Sequence, residues 1–146
     1  MADPQSVRRV IDVLHKLLEE IGWEPLPTQP GIFHIDFGPP HLPIATGLAV
    51  IVTDTNQFVL YLNFGFFVSP ERRDEVLRFI ARINWSLIIG NFDLDLNDGH
   101  LRFKSSVDFD GLELPEILIR NTLLTAMNTV DTHADSLMGA AFPKNN

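Results

Sequence analysis

The run "QFVLYLNFGFFV" (57–68) limits the fold more than any other segment of this chain. Phe58, Leu60, Leu62, Phe64 and Phe66 share one parity, and Val59, Tyr61 and Phe67 share the other. As a strand it is apolar on both faces, so it calls for cover on each side, from its own chain or from another. It is too short to be a helical membrane span, which needs about 20 apolar residues. "DTN" just before it is turn chemistry, and "GLAVIVT" (47–53) before that is a second strand, so the two should form a hairpin.

The remaining elements follow from periodicity and punctuation. Asp3-Pro4 is an N-cap followed by proline, and Val7, Val10, Ile11, Leu14, Leu17, Leu18 and Ile21 keep helical spacing up to Gly22. "WEPLPTQPG" reads as a proline-rich loop, and "IFHIDFG" (32–38) as a strand with Phe33, Ile35 and Phe37 on one side and His34 and Asp36 on the other. Ser69-Pro70 opens a second helix whose inward face is Val76, Leu77, Phe79, Ile80, Ile83 and Leu87. Asp74, Arg78 and Arg82 follow one another by single turns and read as a solvated face. Two strands, 91–96 and 100–109, precede a last helix from about Pro115 to Ala141. Its stripe of Ile119, Leu123, Ala126, Met127, Val130, Ala134, Leu137 and Met138 is widened by Ile117, Leu118 and Leu124. The expected fold is α+β, in the order α-β-β-β-α-β-β-α, with a five-stranded antiparallel sheet and packed helices in a single domain, 1–146.

Composition narrows the function classes. The chain has 146 residues, no cysteine and a net charge of -8. Disulfides and thiolate metal sites are excluded, and nucleic acid or an anionic membrane is disfavoured as a partner because lysine and arginine must neutralise phosphates. "MADPQSVRRV" lacks an apolar signal core, so a soluble cytoplasmic protein is expected.

The segment "NFDLDLNDGHLRFKSSVDFDG" (91–111) holds carboxylates at Asp93, Asp95, Asp98, Asp108 and Asp110. As a calcium loop it fails: Asp98 stands where glycine makes the sharp turn, and Lys104 stands where a bidentate glutamate belongs. As a hairpin turning at Asp98-Gly99 it succeeds: Leu96 faces Leu101, Leu94 faces Phe103, Asp95 faces Arg102 and Asp93 faces Lys104. The carboxylates are then mostly the wet face of a ribbon. No cofactor or metal is expected, since no phosphate loop, dinucleotide fingerprint or nucleophile elbow occurs and the histidines lack ligand spacing. Ser69 reads as a cap rather than a nucleophile, and Asn84 and Trp85 as capping and packing residues rather than pocket lining. His34 and Asp36 share a strand face and are the one candidate set for a polar ligand, the basis of an alternative reading as a small-ligand binder or enzyme.

From "FFVSPERRDEVLRFIARIN" onward the chain resembles the YbjN family of bacterial sensory transduction regulators, similar in fold to type III secretion chaperones of the Tir/CesT type. The resemblance is carried by Asn84, Gly90, Phe92, Asp95, Gly99, Phe103, the strand "FKSSVD" and the helix segment "TVDTHADSLM", over about residues 66–140. It implies no catalytic residues. It implies a non-enzymatic protein-binding module, a chaperone-like or regulatory adaptor, whose apolar surface takes a protein or peptide partner. The doubly apolar strand and the over-wide last helix further suggest a homodimer, with Phe64, Phe66, Leu118 or Leu124 near a dimer or partner contact.

Overall fold

The computed structural model of the chain describes residues 4–20, 22, 24–29, 31–36 and 44–144. The first helix, α1 (Pro4–Glu20), is followed by β1 (Glu24–Gln29), β2 (Ile32–Asp36), β3 (Ile44–Val52) and β4 (Gln57–Phe67). A short 3-10 turn (Pro70–Arg72) leads into α2 (Arg73–Ser86), then β5 (Asn91–Leu94), β6 (His100–Asp108) and α3 (Glu116–Ala141). Asp3, expected to cap α1, lies outside the described residues, as does Phe37. Gly22 does end α1: its φ is +80°, and its N–H donates to the Glu19 carbonyl at 3.1 Å.

The strands form one antiparallel sheet in the order β1-β2-β3-β4-β6-β5. All five strands expected from the sequence are in it. A sixth, β1, lies where a proline-rich loop was expected, pairing Pro25 with Ile35 and Pro27 with Phe33. The physical reason is its position. An edge strand has one side with no ladder to complete, and that is where a residue without an N–H can join a sheet.

The core lies between one sheet face and the three helices. Phe33, Ile35, Ala49, Ile51, Phe58, Leu60, Leu62, Phe64, Phe92, Leu101 and Phe103 are buried together with Leu14, Leu17 and Leu18 of α1 and Val76, Ile80 and Ile83 of α2. From α3, Ile119, Leu123, Ala126, Val130 and Leu137 join them. The other parity of β4 is not covered as its composition suggested: Val59 and Tyr61 are half-buried and Phe67 is exposed. Neighbours in the sheet provide partial shelter instead. Val50 lies beside Val59, and Leu48 and Lys104 flank Tyr61. The Arg102 guanidinium lies 4.5 Å from the Tyr61 ring centre, so its stem and cation lid the aromatic face.

The β5–β6 register differs from the one drawn from the sequence. Asn91 opposes Lys104, Phe92 opposes Phe103, Asp93 opposes Arg102 and Leu94 opposes Leu101. The ribbon is thus shifted by two residues, which preserves the inner and outer faces while changing every partner. Asp95 does not face Arg102, and Leu96 falls in the turn and is exposed. A wider turn causes the shift: Asp95 N–H donates to the His100 carbonyl and Gly99 N–H to the Asp95 carbonyl, leaving 96–99 as the loop. Arg102 Nε reaches Asp93 at 3.2 Å, and Lys104 Nζ approaches the same carboxylate at 3.6 Å. A double-mutant cycle on Asp93→Ala and Arg102→Ala should return about 0.5 kcal/mol of coupling in urea unfolding. The same cycle on Asp95 and Arg102 should return none; larger coupling at Asp95 would restore the unshifted register.

Candidate functional site

Each of the five clustered carboxylates has a local structural task. Asp93 pairs with Arg102 and accepts from Asn91 Nδ2. Asp95 accepts the Asn97 N–H at 2.8 Å, Asp98 the His100 N–H at 2.8 Å and Asp108 the Asp110 N–H at 2.9 Å. These are Asx turns, in which a side chain stands in for a backbone carbonyl two residues back. Asp110 accepts from Asn56 Nδ2 at 2.7 Å and ties the β5–β6 side of the sheet to the β3–β4 turn. Asn56 has a φ of +53°, a left-handed conformation that asparagine tolerates better than most residues. A shallow groove of about 340 Å³ is lined by Asp93, Leu94, Asp95, His100 and Arg102. Its polar lining groups are already engaged: Asp93 is paired with Arg102, Asp95 accepts the Asn97 N–H, and the His100 ring lies against Phe67, with centres 5.9 Å apart. Among the described residues no group of three or more His, Cys, Asp or Glu side chains is placed to hold a metal ion.

The residues of the family motif are structural. Gly90 has a φ of +74°, and a Cβ there would strike the Phe103 ring and come 3.0 Å from the Lys104 carbonyl. Phe92 and Phe103 stack edge to face, with centres 5.1 Å apart, under that glycine. Asn84 does not cap α2 with its side chain. Its amide donates to the Phe92 carbonyl at 3.1 Å and accepts the Phe92 N–H at 2.9 Å. It therefore completes the outward edge of β5 at one residue, a role that sequence spacing does not reveal because its partner lies across a tertiary contact.

The other expected site residues fall as follows. His34 is exposed on β2, opposite Leu48 and Leu26. The Asp36 backbone pairs with Thr46 and Glu24, and its side chain is outside the described residues. Ser69 sits at the helix start with extended backbone, but its hydroxyl caps no backbone N–H. It acts on Glu71 instead: the Glu71 backbone N–H and then the Ser69 hydroxyl hold that carboxyl below the usual carboxylate range, with help from Arg72 and Arg73. Trp85 does not pack at all, being 93% exposed, because it faces away from the sheet while Ile83 points in.

Of the four apolar interface candidates, Phe64 is not a surface residue. It is 4% exposed, between Phe66 and Phe92, because its parity on β4 is the core parity. Phe66 is half-covered by the Phe142 ring at 4.9 Å. Leu118 and Leu124, at 37% and 44%, are exposed on α3, and Ile117 at 57% joins them. These are the residues that widen the helix stripe beyond what the sheet can cover. The helix that carries them is fixed at its far end, where Arg72 Nε and Nη2 both donate to the Ala140 carbonyl, at 2.9 and 2.8 Å.

Comparisons with known proteins were made for sequence and for fold. A family model described as "YbjN: Putative bacterial sensory transduction regulator" matches residues 11–137. No curated protein matches the sequence. Among solved structures, YbjN from E. coli, described as "a putative transcription regulator", is similar with a TM-score of 0.70 at 13% identity, covering 90% of this chain and 91% of that one. A chain of the ExsC–ExsE complex is similar with a TM-score of 0.58 at 12% identity, covering 90% of this chain and 95% of that one. At such identities the likeness is one of fold.

Proposed function

This chain belongs to the YbjN family, and from that premise we propose that it is a non-enzymatic protein-binding module, a chaperone-like or regulatory adaptor. One observation carries the proposal. Ile117, Leu118 and Leu124 stand exposed on α3, a helix whose opposite face already fills the core. An apolar patch on a rigid helix favours an extended or helical protein segment, which covers it without needing a pocket. A neighbour of the same fold is seen in a complex of two named proteins, which supports the reading. The polar side chains do not favour chemistry, since the clustered carboxylates are spent on turns and an ion pair. Among the described residues no helix is long and apolar enough to cross a membrane. The proposed setting is the cytoplasm.

The test is capture by the immobilised protein from lysate of its native cell, with mass spectrometry, beside the variant Leu118→Asp/Leu124→Asp. Both changes are on the surface, so the unfolding free energy should shift by only about 0.5 kcal/mol per site. The leading captured protein should fall at least tenfold with the variant, and the purified pair should bind with the same discrimination. Equal capture by both forms would remove α3 as the binding surface.

A further inference from the structure

We infer that the last turn of α3 is a displaceable plug, and that the seat it fills, between the Phe66 ring and the Arg72 guanidinium, binds an aromatic residue of a peptide segment. The inference goes beyond the apolar patch at the other end of α3 and does not depend on it. The chain's own end shows what the seat recognises. Arg72 Nε and Nη2 both donate to the Ala140 carbonyl, at 2.9 and 2.8 Å. Two residues on, the Phe142 ring meets Phe66 edge to face, with centres 4.9 Å apart. A main-chain carbonyl followed two residues later by an aromatic ring is all that this pair of contacts requires. The floor of the seat is apolar: Phe66 packs against the core and meets the buried Phe64, with centres 5.7 Å apart.

The turn is weakly held. Leu137 is the last large side chain that α3 buries, and beyond it only the methyl groups of Ala140 and Ala141 are buried. Phe142 keeps 53% of its surface in water. Among the described residues no side chain other than that of Arg72 hydrogen-bonds to residues 138–142. Gly139 stands inside this turn although a Cβ there would meet nothing within 4 Å. A helical glycine with no packing reason makes its turn less stable than alanine would. The helix ends on one bond, from the Phe142 N–H to the Met138 carbonyl at 2.8 Å, and Pro143 follows where a capping glycine would secure the end. Opening from Gly139 onward therefore breaks few contacts and leaves the rest of α3 in the core. It bares Phe66 and frees both Arg72 donors together. The returning turn and a competing segment then contend for the same groups, so the apparent affinity for that segment is scaled by the open fraction.

The test uses the full chain, with a fluorescein-labelled peptide of its own residues 134–144 as the probe. In native-state hydrogen exchange the Phe142 amide should exchange about a hundredfold faster than that of Val130, through an opening that urea hardly alters. Gly139→Ala should slow it about fivefold and leave Val130 unchanged. In fluorescence anisotropy the peptide should bind Phe142→Asp, whose own end is a poor occupant of an apolar seat, about tenfold more tightly than the wild type. It should bind Gly139→Ala about fivefold more weakly. Val130 exchange in Phe142→Asp should match the wild type, which shows that the fold is kept. Adding Arg72→Gln to Phe142→Asp should abolish the gain, as should Phe142→Ala in the peptide. Leu118→Asp/Leu124→Asp should bind the peptide as the wild type does, which separates this seat from the patch at the start of α3. Exchange of the Phe142 amide only at the rate of Val130 would overturn the inference. So would equal binding by the wild type, Gly139→Ala and Phe142→Asp, or a gain that survives Arg72→Gln.

Discussion

Replacing Gly99 with alanine should lower the unfolding free energy by about 3 kcal/mol or more, from the sum of strain at positive φ, a backbone clash and a weakened hydrogen bond. Gly99 has a φ of +84°. A Cβ built there overlaps the Val68 carbonyl oxygen and lies 2.9 Å from the Val68 nitrogen. The same backbone stretch carries a hydrogen bond from the Val68 N–H to the Gly99 carbonyl at 2.8 Å. The clash is with main chain, which cannot swing aside as a side chain can. Relief therefore requires that the β5–β6 turn draw back from the segment entering α2, with loss of that bond. Gly111 is the control: its φ is +76°, but a Cβ there meets nothing within 4 Å. Gly111→Ala should cost only the strain, about 1 kcal/mol. Urea unfolding of both variants checks the difference. Equal losses would show that conformation alone, and not the contact with Val68, sets the requirement for glycine.

That turn also shows what a sequence can and cannot convey. Alternation of Phe92 and Leu94 with Asp93, and of Leu101 and Phe103 with Arg102 and Lys104, is a property of the strands themselves, so both faces were legible. The register was not. Asp98-Gly99 is a good two-residue turn in isolation, yet Gly99 is held by Val68, and Asp95 and Asp98 spend their carboxylates on the loop backbone. A slip of two residues costs no exchange of faces, so polarity could not rule it out. The same logic explains β1. Its prolines argue for a loop on local grounds, and only its place at the sheet edge makes it a strand. The helices were legible because their stripes are long, and the over-wide stripe of α3 correctly marked Leu118 and Leu124 as surplus to the core. Parity could equally have placed Phe64 inside, since it shares the face of Phe58, Leu60 and Leu62. The place of Trp85 at the end of the second helix suggests a capping and packing role, yet the side chain is 93% exposed. Its position on α2, two residues past Ile83, already turned it outward.

Asn84→Ala should cost about 2 kcal/mol, because it strips the donor and the acceptor that satisfy a partly buried peptide group without leaving room for anything else to replace them. The amide of Asn84 meets both the N–H and the carbonyl of Phe92, at 2.9 and 3.1 Å. Phe92 is central to the inner face, with its ring against Phe64, Phe103 and His133, so its backbone cannot turn to water without disturbing the core. An unpaired edge strand is also a template for another chain, and a single side chain that fills its hydrogen bonds guards against that. Two measurements separate this role from ordinary packing. Hydrogen exchange at the Phe92 amide should accelerate in Asn84→Ala far more than at Phe103, whose backbone is inside the sheet. Asn84→Leu, which keeps the volume but not the amide, should lose as much stability as the alanine variant or more. Should the leucine variant instead match the wild type, with Phe92 exchange unchanged, Asn84 would be a packing residue and the edge of β5 would owe its protection to something else.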